Sequence, residues 1–251
     1  MEIIIQNIFQ SDWKTVFIYF LLLNIFIFAG AIFAGKILVR LFRTHKVCET
    51  PESLTNKELI LALSTVFLNA FVTLMGWFLW RGGIIELNFE AGFIAIADFL
   101  RLFFMMDLLM YLLHRLAHVK PFYKILHQTH HSYTRVRPLT LFILNPVENL
   151  SFGLLWILVL CLFPTSWYAA GAYLTLNLIF GLTGHLGVEF IPAKYAHNRF
   201  LRHITTSTFH AFHHQDLHYN FGFYTTIWDS LFKTLASYYF SHFGKLPPVG
   251  N

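Results

Sequence analysis

Ala91–His131 reads AGFIAIADFLRLFFMMDLLMYLLHRLAHVKPFYKILHQTHH, an apolar run that passes directly into a cluster of histidines. Its first part, Ala91 to Leu113, is long enough to cross about 30 Å of hydrocarbon as a helix, which takes about 20 residues. Asp98, Arg101 and Asp107 interrupt it, and ionisable groups at such depth persist when paired or functional. Asp98 and Arg101 stand one helical turn apart, so the bland reading pairs them near the interface. Asp107 shares a helical face with Tyr111 and His114. That placement makes Asp107 a candidate acceptor for the second ring nitrogen of a metal-bound histidine.

The flanking sequence extends the same pattern. Of 251 residues, 56% are hydrophobic and only 12% charged, far from the balance of a water-soluble domain. Thr15 to Ala34 forms a first apolar span, followed by Lys36, Arg40, Arg43 and Lys46, a basic cluster that belongs on the cytoplasmic side. Pro51 and Glu52 begin a polar connection to a second span, Leu59 to Trp80, which ends outside at Arg81-Gly82-Gly83 within an aromatic belt of Trp77 and Trp80. The span from Ala91 then returns the chain to the cytoplasm at His114. Leu150 to Phe163 and Trp167 to Leu182 form two apolar arms around Pro164, a hairpin that enters and leaves on the same side. The expected fold is all-α, an integral membrane helical bundle under a cytosolic, histidine-rich metal-binding cap. One domain spans residues 1–251, with N-terminal spans to about residue 90 and the catalytic region over 91–240.

The net charge of +5 raises nucleic acid as a partner, but the cations sit at the ends of apolar runs, where headgroups account for them, so no nucleic acid is expected. Cys48 and Cys161 are read as unpaired. The opening MEIIIQNIFQSDWK lacks a basic n-region and a small-residue cleavage site, so the first span is expected to stay.

Fourteen histidines are present, and eight fall into three motifs: His114-Arg-Leu-Ala-His118, His127-Gln-Thr-His130-His131 and His210-Ala-Phe-His213-His214. His114 and His118, four apart, share one helical face, as two ligands of one site require. In each H-x-x-H-H the outer pair at i and i+3 is expected to point together with the last histidine turned away, so that one segment feeds two adjacent metals. His185, between Gly184 and Gly187 at the end of an apolar arm, joins the set because glycine permits close approach. His218 is read as surface, and His45, His197, His203 and His242 lack a spacing argument. Glu148, in Asn145-Pro146-Val147-Glu148, and Asp229, beside Trp228, either cap or pair locally, or orient ligands. Imidazole serves Zn, Cu, Fe and Ni alike. Without thiolates in the motifs or an H-E-x-x-H, redox chemistry on a membrane-soluble substrate is favoured over hydrolysis, and iron is the expected metal.

From Asp107 to Thr234 these motifs, in this order and spacing, resemble the fatty acid hydroxylase / sterol desaturase superfamily. The likeness takes in Asp107-x3-Tyr111-x2-His114-Arg-x2-His118, His127-x2-His130-His131-Ser132, Pro146-x-Glu148, Gly184-His185, His210-x2-His213-His214, Asn220-Phe-Gly222 and Trp228-Asp229. The resemblance implies two iron ions at the cytosolic membrane face, O2 as co-substrate and hydroxylation of a fatty acyl, sterol or alkylglycerol-type lipid. It also implies a separate electron donor, cytochrome b5-like or a ferredoxin with its reductase. Glu189 stands where some relatives carry a further histidine, and Asn145 where many sterol-oxidising relatives have one, which weighs against a sterol-specific reading. Desaturation on the same centre is the alternative, and from another class a membrane metal transporter or sensor. A transporter site is expected near the bilayer midplane, whereas these histidines lie outside the spans. The compartment is a bacterial inner membrane or the endoplasmic reticulum, the carboxyl-terminal Pro247-Pro-Val-Gly-Asn251 showing no retention signal.

Overall fold

The computed structural model describes residues 2–247. The last four residues of the carboxyl-terminal segment, read above for a retention signal, lie outside them. Helices predominate. They run α1 (Glu2–Gln10), α2 (Trp13–Leu41), α3 (Asn56–Arg81), α4 (Phe93–Ala117), α5 (Lys120–Leu126), α6 (Gln128–His131), α7 (Pro146–Cys161), α8 (Trp167–Gly184), α9 (Ser207–Gln215) and α10 (Ile227–Leu231). Two short strands, β1 (Leu87–Asn88) and β2 (Thr165–Ser166), pair in parallel.

Local chemistry fixes the helix ends. The Asp12 carboxylate accepts from the Lys14 and Thr15 amides and starts α2. Thr55 and Glu58 form a reciprocal capping box at α3. Asn145 caps α7 with Pro146 in its first turn, and Ser166 caps α8. The first span is longer than its apolar core: α2 continues through Lys36 and Arg40 to Leu41. No proline or glycine pair breaks it there, and long basic side chains keep their charge in water while their stems lie on apolar surface.

Helices α2 and α3 are long and apolar enough to cross a membrane. Their outward faces carry Phe26, Phe33 and Ile60, each exposed by two-thirds or more. A surface of that kind is unfavourable in water over so large a patch and matches hydrocarbon. The α4 run holds the expected Asp98–Arg101 pair, at 2.7 Å, and Asp98 also accepts from the Ser166 amide. This ties the start of α4 to the turn between α7 and α8. That turn pairs through β2 with β1, the connection from α3 to α4, so the α7–α8 hairpin starts at the histidine end, reaches the far end and returns.

Leu102, Met106, Val159, Tyr173 and Tyr224 form the main core between α4, α7 and α8. Close approach of α7 to α3 depends on Gly153, where a Cβ would lie 2.7 Å from Val72 Cγ2. At the histidine end, Val47 donates to the Gly187 carbonyl and Glu189 to that of His45, so the chain after α2 is stitched beneath the end of α8. Cys48 is buried there, and both cysteines are free.

Candidate metal centre

The ends of four elements converge at one end of the bundle: the last turn of α4, the short helix α6, the residue closing α8, and α9. They bring together all nine histidines singled out from the sequence. His114, His118, His127, His131 and His213 form one group, and His130, His185, His210 and His214 a second. Within each group the candidate ligand nitrogens all lie within 4.8 Å of one another. The groups adjoin, with His131 and His214 stacked at 4.6 Å between ring centroids. Neither His218, whose side chain is 88% exposed and bonded to Asp216, nor Glu189 belongs to either group. Glu189 is buried and accepts from the amide and hydroxyl of Thr208.

The pairing inside each H-x-x-H-H differs from the i, i+3 expectation. His127 shares a group with His131 while His130 crosses to the other, and His210 shares with His214 while His213 crosses. Helical geometry explains this. At about 100° per residue, position i+4 returns to within about 40° of i, whereas i+3 falls about 60° short. The segments still contribute to both groups, through the opposite partner.

Backbone acceptors set the ring orientations. His114 donates from Nδ1 to the Phe221 carbonyl at 2.8 Å, His130 to Ile143 at 3.2 Å, His185 to Gly181 at 2.7 Å and His213 to Tyr219 at 2.7 Å. His127 Nδ1 lies 2.5 Å from Glu148 Oε1. A carbonyl only accepts, so those four rings carry their proton on Nδ1 and turn a bare Nε2 lone pair inward; an ionised Glu148 imposes the same on His127. Yet Nε2 of His114 lies 2.8 Å from Nε2 of His127, and Nε2 of His185 lies 3.2 Å from that of His130. Two bare lone pairs facing each other repel, and a shared cation removes the repulsion. The second group contains such a pair outright, and the first contains one once Glu148 is ionised, a state that its burial opposes and a neighbouring cation favours. The buried Nε2 atoms of His118 and His213 have no hydrogen-bond partner, another mark of ligand atoms aimed at a cation. The donor set thus fits metal ions.

Electrostatics agree. Burial is the main cause holding His127, His130, His131, His210, His213 and His214 well below the usual imidazole pKa, and neighbouring histidines add to it. The rings are therefore neutral at pH 7, the form that ligates.

One carboxylate acts differently from expectation, and a second caps its own loop as expected. Asp107 accepts from no histidine. Its oxygens take the amides of Tyr224 and Thr225, the Thr225 hydroxyl and the Trp228 indole N–H. Those donors lie on the following loop and α10, whose main chain satisfies a buried carboxylate more fully than one imidazole does. Asp229 accepts from the amides of Phe221 and Gly222 and from the Thr234 hydroxyl. Burial pushes its carboxyl up to about 6. Together they fold residues 220–229 so that the Phe221 carbonyl meets His114, and Asp107 acts on the histidines only through that loop. Gly222 is required in it, since a Cβ would sit 2.3 Å from the Thr225 carbonyl oxygen. Glu148, by contrast, touches His127 directly. Sequence reading gave no sign of the carbonyls of Ile143, Gly181, Tyr219 and Phe221, because a main-chain acceptor carries no residue code.

A family model described as fatty acid hydroxylase matches residues 99–234, more than half of the chain. The chain belongs to the fatty acid hydroxylase family. Among curated relatives of this family member, a Delta(7)-sterol 5(6)-desaturase of Leptosphaeria maculans is 32% identical over 125 residues, covering 50% of this chain and 33% of its own. Methylsterol monooxygenase 1 of Danio rerio is 29% identical over 134 residues, 53% of this chain and 45% of its own. The C-4 methylsterol oxidase erg25 of Schizosaccharomyces pombe is 29% identical over 146 residues, 55% and 46% respectively. The chain thus spans between a third and a half of the length of these relatives. No solved structure matches it significantly. The printed names of these relatives are those of a sterol desaturase, a methylsterol monooxygenase and a methylsterol oxidase.

Proposed function

We propose that this chain is an O2-dependent lipid hydroxylase whose two histidine groups each hold one iron ion. The carrying observation is that each group opposes two imidazoles whose outer nitrogens are engaged and whose inner nitrogens face each other, at 2.8 Å and 3.2 Å. The ligands are His114, His118, His127, His131 and His213 for one ion, and His130, His185, His210 and His214 for the other. Iron is the choice because the family's relatives carry out oxidations, which imidazole-bound zinc does not support. When bound, the pair supplies the reduction of O2 and the oxidising power to break an unactivated C–H bond.

The protein's own part is positional. Glu148 and the backbone carbonyls hold each ring in one tautomer and orientation. Burial keeps the rings neutral and excludes bulk water. In the overall reaction one oxygen atom enters a C–H bond of the lipid and the other leaves as water, with two electrons from a separate carrier and two protons. The carrier is a cytochrome b5-like protein or a ferredoxin with its reductase. Desaturation by a second hydrogen loss is the alternative outcome, in keeping with the desaturase among the relatives.

The chain acts as one unit in the membrane, with residues 1–90 supplying N-terminal spans and 91–240 the catalytic region. Helices α2, α3, α4 and the α7–α8 hairpin cross the bilayer, and the histidines face the cytoplasm. Charge supports this orientation: Lys14, Arg81 and Arg101 belong to the far end, and the other lysines and arginines to the histidine end. The test is lipid profiling of cells expressing the chain beside His130→Ala and His213→Ala variants. New hydroxylated lipids are expected only with the unaltered chain; the same products from either variant would overturn the assignment.

A further inference from the structure

A narrow cavity opens beside His185 and His210, between the end of α8 and the segments holding Thr205, Thr206, Gly222 and Phe223; Phe180, Gly181 and Gly184 complete its wall. Its volume, about 10 Å³, holds one small group. The threonine hydroxyls in the wall are engaged elsewhere, Thr205 donating to the Phe223 carbonyl and Thr206 bonded to the Tyr239 hydroxyl. Apart from the histidines the wall therefore offers carbon, and it suits a C–H group.

The same face of α8 carries Asn177, one turn before Gly181 and two before His185. Its carboxamide is fixed: Tyr224 donates to Asn177 Oδ1 at 2.7 Å, and Tyr224 is held in turn by Tyr173 at 2.7 Å. The oxygen is thus committed inward. The Nδ2 donor has no protein acceptor among the described residues, and the side chain is only partly buried. In an apolar setting a donor left without a partner is costly, and an oxygen atom of a bound molecule would remove that cost. Eight residues of helix separate it from His185, about 12 Å along the axis.

We propose that the lipid lies along α8, its reacting carbon in the cavity at His185 and His210 and one of its oxygen atoms accepting a hydrogen bond from Asn177 Nδ2. The lipid class is therefore one with a hydroxyl or carbonyl oxygen about 12 Å from the oxidised carbon. This rests on the lipid-oxidase reading, but its test does not require turnover.

The experiment is photolabelling of the metal-loaded protein in vesicles with a diazirine-bearing hexadecanol, mapping the label by peptide mass. Label is expected on α8 between Leu174 and Gly184 and on Gly222–Tyr224. Hexadecanol should displace it about tenfold better than hexadecane, the factor one hydrogen bond provides. In Asn177→Leu the two competitors should become equal, whereas Asn177→Gln, which keeps the amide, should retain the preference; metal content checks that both variants are folded. Tyr224→Phe, which frees the carboxamide, should weaken it. Label confined to other helices, or a preference that survives Asn177→Leu, would overturn the proposal. Label on α8 with no oxidised lipid in turnover assays would sink the oxidase reading and leave the binding site standing.

Discussion

Replacing Glu148 by Leu is the most selective perturbation of the centre. The carboxylate lies 2.5 Å from His127 Nδ1, both groups are almost wholly buried, and its other oxygen has no partner. Leucine has nearly the same bulk, so the packing of α7 survives while the His127 N–H loses its acceptor. His127 is then free to place its proton on Nε2, which cancels it as a ligand in the first group. Loss of such an outer acceptor costs about 10–100-fold in metal affinity, or about 1.4–2.7 kcal/mol. The second group, whose rings are held by Ile143 and Gly181 carbonyls, should keep its affinity. Glu148→Gln retains an oxygen acceptor without charge and should fall between. The assay is stepwise removal of iron by a graded chelator, followed by Mössbauer spectroscopy of what remains. One ion per chain should leave early in Glu148→Leu, and the other should leave as in the unaltered protein. Equal weakening of both ions, or of neither, would show that Glu148 does not hold His127 in its ligating tautomer.

Asp107→Ala leaves three buried donors and the half-buried Trp228 N–H without an acceptor, each buried one costing about 1–3 kcal/mol, so thermal unfolding in detergent should show destabilisation above about 3 kcal/mol, and a change within about 1 kcal/mol would contradict the loop-anchoring role. The metal-free protein should lose stability as pH falls below 6.5. Its buried imidazoles have depressed values, so the unfolded chain binds more protons there, and each ring contributes up to about 1.4 kcal/mol per pH unit down to its folded value. Denaturant titrations between pH 7 and 5 read this directly, and a flat profile would contradict burial as the cause. His218→Ala should leave iron content unchanged and stability within about 0.5 kcal/mol, since that ring is exposed; loss of iron would make it a ligand.

How much was legible follows from where the information lies. The apolar runs gave α3, α4, α7 and α8 to within four residues and α2 except for its last seven, because an apolar stretch marks a helix but not the basic turns that extend it. The amphipathic α1 was not legible, its run being too short to register as a span. Eight ligand candidates were readable because imidazole at helical spacing is a residue pattern, and His185 was added from the glycines beside it. Which histidine joins which group was not, since it depends on the azimuth of α6 and α9 as they meet α4 and α8. Asp107 was placed on the correct buried face but given the wrong partner; the loop that claims it lies more than a hundred residues on, and nothing in the local sequence announces it. Asn177 went unremarked for a related reason: a single asparagine in an apolar arm gains meaning only from Tyr224 and the cavity beside it.

Iron content per chain, measured by elemental analysis of the detergent-purified protein beside His131→Ala and His214→Ala, tests the central claim most directly. Two irons per chain are expected, with the first group's ion lost in His131→Ala and the second's in His214→Ala. One iron or none in the fully loaded protein, or variants that lose nothing, would contradict a two-ion centre.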